Sequence, residues 1–227
     1  EFLESCVLTM AAPAPERVNM HVRSQGAGSP ILFIHGVPTS GQLWSGVIEV
    51  LSEQFRCFAV DLPGLGRTPE TTRGFQALDL MAASIDELRV QSNVEHWHVV
   101  GHDAGCAVAV HYAHRFPQHI GCLGLLSPSI FPDLKPYFLF EILRKRIIGE
   151  LMAPLVSLLF WKLVMRLVLA GHVNRRNLIH DFHAPFDGMR GAWRLMSLMR
   201  WGDPADVLAS VPGLLPQLLA PTLIFHG

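Results

Sequence analysis

Short apolar runs, recurring along the chain with helical patterns between most of them, limit this sequence more than any other feature. They are Pro30–Gly36, Phe55–Leu62, His96–His102, Ile120–Leu126 and Pro221–Gly227. Each is rich in Val, Ile, Leu or Phe and lacks strict alternation, the pattern of a strand covered on both faces. Helical stretches at Leu78–Val90 and Gly105–Phe116 lie between them. That rhythm implies right-handed crossovers and a mostly parallel sheet. Residues 17–25 add a candidate antiparallel strand at the start. The expected fold class is therefore α/β, a mostly parallel sheet flanked by helices.

Between Leu126 and Pro221 the rhythm breaks. Helical patterns run over Tyr137–Gly149, Pro154–Ala170, Asn174–Phe182 and Gly188–Trp201, punctuated by Pro and Gly. This reads as a helical cap inserted over the sheet edge. The expected organisation is a first core part over 1–128, a cap over 129–205, and the core resuming over 206–227.

Composition narrows the class. The chain has 227 residues, 50% hydrophobic and 16% charged, enough for one α/β domain with a sizeable core. A formal net charge of −1 and the lack of a long basic run argue against nucleic acid as a partner. The most apolar stretch, Pro154–Ala170, is interrupted by Lys162 and Arg166 and is shorter than the roughly 20 residues of a membrane span, so no stable membrane insertion is expected. The first residues carry no secretory signal pattern. Cys6, Cys57, Cys106 and Cys122 form no C-x-x-C pair, and three of them lie in apolar runs. Reduced, buried thiols and a cytoplasmic location are expected. No metal-ligand spacing and no phosphate-binding glycine loop is present, so neither metal nor cofactor is implied.

Gly101-His-Asp-Ala-Gly105 follows a strand and opens a helix, the context of a nucleophile elbow. The nucleophile of such a turn sits in a tight bend, so the residues two before and two after must be small. Asp103 holds that position. The helix N-terminus behind it favours an anion. His35-Gly-Val-Pro38 follows the strand at 30–36, where a loop can offer a backbone N–H to the same point. Val37 N–H and Ala104 N–H are the expected oxyanion-hole donors. His35, Gly36, Pro38 and His102 line this region as substrate-side candidates. For His35 the alternative is orienting the loop without proton transfer, and for His102 a structural role pointing away from substrate.

Three stretches carry a family resemblance: His35–Trp44, Asp61-Leu-Pro-Gly-Leu-Gly-Arg-Thr68 and Gly101–Gly105. In this order and spacing the chain resembles the α/β-hydrolase superfamily over nearly its whole length, most closely the haloalkane dehalogenase and epoxide hydrolase branch. The resemblance implies the α/β-hydrolase fold and a hydrolase with an aspartate nucleophile acting on small apolar electrophiles. A carboxylate, with an ordinary pKa of about 3.9, is already ionised at neutral pH. It suits attack on an alkyl carbon with a leaving group, giving an ester that an activated water then cleaves.

The resemblance leaves the substrate open. Dehalogenases of this branch grip halide with a Trp beside the nucleophile, where this chain has Ala104. Haloacetate dehalogenases carry arginines just past it, where this chain has Ala104 and Ala107. Epoxide hydrolases use cap tyrosines as acids; Tyr137 is the candidate here, and Tyr112 reads as core. Trp161 and Trp193 are cap candidates for substrate contact, with ordinary packing as the alternative. The family acid and histidine are expected beyond Gly227, which implies a C-terminally truncated chain able to form the ester but not to hydrolyse it. Two other readings stay open: an ester or carbon–carbon bond hydrolase of the same fold, and a non-catalytic ligand-binding fragment.

Overall fold

The computed structural model describes residues 18–70, 78–133, 138–157, 169, 175–200 and 204–226. The apolar runs form strands close to where the sequence predicts them. They are β1 (Val22–Gln25), β2 (Ser29–Ile34), β3 (Phe55–Val60), β4 (Trp97–His102), β5 (Ile120–Leu126) and β6 (Thr222–Phe225). They make one sheet in the order β1-β3-β2-β4-β5-β6. Only β1 is antiparallel, pairing Val22 with Val60 and Gln25 with Cys57.

Helices α2 (Leu78–Gln91) and α3 (Gly105–Arg115) cover one face of the sheet. The main core lies beneath them, with Leu32, Ile34, Val60, Trp97, Val99, Val108 and Tyr112 all buried. Helix α1 (Ser45–Leu51) and the single 3-10 turn Gly41–Trp44 cover the other face over β2 and β3, burying Phe33, Trp44, Ile48 and Cys57. Only the carboxyl halves of β2 and β3 are buried on both faces. β4 alternates between buried and half-buried positions. All of β6 is exposed.

This uneven cover corrects the cysteine expectation. Cys57 and Cys106 are buried, but Cys122 is exposed, on the face of β5 that α2 and α3 do not cover. An apolar run marks a strand but does not say how many of its faces meet a neighbour. Cys6 lies outside the described residues.

Between β5 and β6 the described residues are largely helical: α4 (Phe138–Arg144), α5 (Ile148–Leu155), then Arg175–His183, Gly188–Arg200, Pro204–Leu208 and Val211–Leu214. The helix expected over Tyr137–Gly149 is two helices. The break falls at Ile147, in the left-handed region at φ +68°. Gly149 belongs to the first turn of α5, where a Cβ would run into the Leu143 carbonyl. Pro154 sits inside α5 rather than opening a helix, and most of the stretch expected as helix after it lies outside the described residues. No helix among the described residues is long and apolar enough to cross a membrane.

Candidate active site

The chain leaves β2 toward β3 on one side and returns to β4 on the other. Loops diverge beyond the carboxyl ends of such a strand pair, which opens a crevice. Ile34 stands level with Gly101 across the pair, so the loop beginning at His35 and the turn beginning at His102 meet there. The Asp61–Thr68 loop leaves β3 at the same edge of the sheet.

Asp103 adopts φ +52°, in the left-handed region that side chains other than Gly, Asn and Asp seldom enter. Its N–H donates to the Leu126 carbonyl at 3.1 Å, and its carbonyl accepts from Cys106 N–H at 3.0 Å. The turn is thus pinned on one side to β5 and on the other to α3. Gly105 is required by close approach: a Cβ there would run into the carbonyl oxygens of Ile34 and His35. At Gly36 a Cβ would collide with the Asp103 side chain itself. The two loops therefore touch backbone to carboxylate.

Val37 N–H donates to Asp103 Oδ2 at 3.0 Å. The Ser129 hydroxyl donates to Oδ1 at 2.5 Å, and Ser129 N–H reaches the Asp103 carbonyl at 3.3 Å. Ala104 occupies the turn between Asp103 and α3, with φ −61°. Val37, Pro38, Asp103, Ala104 and Ser129 are all half-buried, and Gly36 is buried. The Val37–Pro38 peptide is cis.

His35 is fully buried. Its Nδ1 bonds the Gly36 carbonyl at 2.8 Å, and Leu62 N–H donates to its Nε2 at 2.9 Å. Those partners assign a neutral ring protonated at Nδ1. Burial is the main influence on its pKa and pushes it down to about 4. The ring ties the loop after β2 to the loop after β3. Asp61 strengthens the tie: buried, it accepts from Gly41 N–H at 2.7 Å and from Arg67 N–H at 2.9 Å. His102 stands edge-on to Trp44, ring centroids 6.3 Å apart. Cys106, next to the elbow, is buried, and desolvation pushes its thiol up to about 12, which leaves it unreactive.

Trp193 lies on the Gly188–Arg200 helix and is 49% exposed. Tyr137 and Trp161 lie outside the described residues, as does His172. His183 is buried, with Nε2 against the Ser157 carbonyl at 2.9 Å, and His180 is exposed. Tyr112 is core, its hydroxyl donating to Asp86 at 3.2 Å. Among the described residues no group of three or more His, Cys, Asp or Glu side chains is placed to hold a metal ion. Ser129 carries no sequence motif. Its only advance signal is that neighbouring parallel strands β4 and β5 bring their carboxyl-end loops together.

Comparison with known proteins bears on the fold and the family. Over 95 residues the chain is 38% identical to a soluble epoxide hydrolase of Corynebacterium sp. (strain C12), covering 42% of this chain and 33% of that protein. It is 28% identical over 125 residues to a cis-3-alkyl-4-alkyloxetan-2-one decarboxylase of Shewanella oneidensis, covering 52% of this chain and 38% of that one. The matched stretch is well under half the length of these curated relatives. The structure of haloalkane dehalogenase DbeA from Bradyrhizobium elkani USDA94 superimposes with a TM-score of 0.71 at 26% identity, covering 95% of this chain and 79% of that chain. The family model described as alpha/beta hydrolase fold matches residues 29–148. With more than half of its residues inside that match, the chain belongs to the alpha/beta hydrolase family.

Proposed function

We propose that the chain is a hydrolase whose Asp103 attacks the alkyl carbon of a small apolar epoxide or haloalkane. The observation that carries this reading is the Asp103 carboxylate itself. It sits at the tip of the elbow in a left-handed turn, with one oxygen already on the Val37 N–H. Oδ2 faces the oxyanion-loop amide, and the attack is assigned to Oδ1, which has the Ser129 hydroxyl on one lone pair and a second lone pair for the incoming carbon. A new carbon–oxygen bond forms at Oδ1. The carbon–halogen or epoxide carbon–oxygen bond breaks, and its electron pair leaves on the halide or on the epoxide oxygen. Oδ2 becomes the ester carbonyl oxygen, still facing Val37 N–H. A tetrahedral intermediate formed by water would place its negative charge at that point. Epoxide and haloalkane hydrolysis are named for the two relatives described above, and an ionised nucleophile suits both.

The helical stretch 129–205 serves in this reading as a cap over the crevice. Two contacts support it. Arg194 Nη2 donates to the Thr68 carbonyl at 3.0 Å, and its Nε lies 3.1 Å from Glu70 Oε1. They fasten the Gly188–Arg200 helix to the loop that His35 and Asp61 hold against the oxyanion loop. Free, buried Cys57 and Cys106 are in keeping with a reducing, cytoplasmic setting.

The test is intact-mass measurement after incubation with a panel of small epoxides and haloalkanes. The expected result is a mass gain that maps to Asp103 and is lost in Asp103→Asn. Folded protein that gains no mass across the panel, and releases neither diol nor alcohol, would overturn the alkyl-attack reading.

A further inference from the structure

We infer that Ser129 is a positioning residue for the attack, holding Asp103 Oδ1 as the oxygen that meets the electrophile. The inference rests on the nucleophile reading above and adds a residue to it.

The geometry makes the assignment. A carboxylate held by one donor can still rotate about Cβ–Cγ and exchange its oxygens. Here the two oxygens have different donors from different strands' loops: Val37 beyond β2 on Oδ2, and Ser129 beyond β5 on Oδ1. Two opposed donors fix the carboxylate plane and label its oxygens. Ser129 is itself held to the elbow, since its N–H donates to the Asp103 carbonyl. Two residues before Ser129, Ser127 is in the left-handed region at φ +42°, and its N–H donates to the Phe225 carbonyl of β6 at 2.7 Å. The loop is thus built from both ends to present the hydroxyl.

Two effects oppose each other. A donated hydrogen bond draws charge from Oδ1 and weakens it as a nucleophile. But each carboxylate oxygen has two lone pairs, and one hydroxyl occupies one of them. The second lone pair stays open to the incoming carbon. Without Ser129, water would supply the missing bond from any direction, including the electrophile's own path. Alignment of the reacting atoms governs the rate steeply, since a misplacement of about 1 Å can cost on the order of 100-fold. Orientation therefore decides the sign, and removing the hydroxyl slows the attack. In the step itself Ser129 keeps its proton. The bond formed is Oδ1 to carbon, the bond broken is carbon to the leaving group, and the hydroxyl loses only a strong acceptor as Oδ1 becomes an ester oxygen.

The experiment compares wild type, Ser129→Ala and Ser129→Thr by two readouts. One is the rate of Asp103 adduct formation as a function of electrophile concentration. The other is the Asp103 carboxylate stretch by isotope-edited infrared spectroscopy, isolated by subtracting the Asp103→Asn spectrum. The expected result is that Ser129→Ala lowers the maximal rate by about 10-fold or more. The half-saturating concentration stays close to wild type, the carboxylate band shifts, and Ser129→Thr restores rate and band together. An Ala variant with wild-type rate and band overturns the inference, as does a Thr variant as slow as Ala. A band that shifts while no variant, wild type included, forms an adduct overturns the nucleophile reading and with it the attacking role of Oδ1, although the hydrogen bond stands. An adduct on Ser129 that persists in Asp103→Asn makes Ser129 the nucleophile and overturns both.

Discussion

His35 stands beside the Asp103 loop and is still unavailable as a base for its carboxylate. Both ring nitrogens are bonded to backbone, and burial holds the ring neutral by pushing its pKa down to about 4. The folded value lies below the unfolded one, so the unfolded chain takes up the proton first as pH falls. Stability from the neutral ring is fully present above about pH 6.5 and is lost as pH drops toward about 4, on the order of 3 kcal/mol in all. His111, also lowered chiefly by desolvation, adds to the loss in the same direction. The urea midpoint is expected to fall between about pH 7.5 and 5, with the His35 imidazole signals not titrating in that interval. A His35 ring that titrates near its ordinary value would refute the buried, neutral assignment. The position of His35 directly before Gly36 in the motif made its place readable from sequence. Its bond to Leu62 N–H was not readable, because it spans two loops brought together only by the parallel pairing of β2 and β3. The same holds for Ser129 and Asp103: β4 and β5 are neighbours, and nothing in the string of residues after Leu126 marks position 129 as the one that reaches the carboxylate.

At the scale of elements, the strands and the elbow were legible because their constraints are local. An apolar run of strand length between helical patterns has few alternatives. A turn that forces φ positive beside a close backbone contact needs glycine where Gly105 stands. The helices between β5 and β6 were legible as helical but not in their limits. Ile147 breaks the first one with no glycine or proline to announce it. Nor does the helical pattern state how this segment docks. Arg194 is one of its described fastenings, and its guanidinium is partly exposed, as is Glu70. Exposed pairs of this kind contribute about 0–1 kcal/mol. Arg194→Ala is therefore expected to leave the global unfolding midpoint nearly unchanged. Amide exchange in Gly188–Arg200, and in the loop around Thr68, should quicken, because the bond to the Thr68 carbonyl is lost. Exchange that stays at wild-type rates in both segments would show that other contacts hold this helix in place.

At the scale of the whole molecule, the sheet is asymmetric in its protection. The carboxyl halves of β2 and β3 are covered on both faces, and the loop that begins at His35 and meets the Asp103 turn leaves from that covered part. One edge, β1, is short and carries Arg23 and Gln25. The other, β6, ends the strand order with Leu223, Ile224 and Phe225 each close to 60% exposed. Adjacent residues of a strand face opposite ways, so both faces of β6 are apolar and open to water. An edge of that kind offers unpaired backbone groups and apolar surface to any neighbouring strand, and natural sheets usually blunt such an edge with charge. As this chain stands, concentration-dependent association through β6 is expected in sedimentation velocity at neutral pH, where the net charge of −1 offers little repulsion. Ile224→Lys places a charge on that edge without touching Phe225, whose carbonyl holds Ser127. The Lys variant should sediment as a monomer at concentrations where wild type does not, and it should retain adduct formation at Asp103. Association unchanged by the Lys would mean that copies meet elsewhere. Loss of adduct formation together with association would instead mean that β6, through Phe225 and Ser127, must be covered for Ser129 to reach the carboxylate.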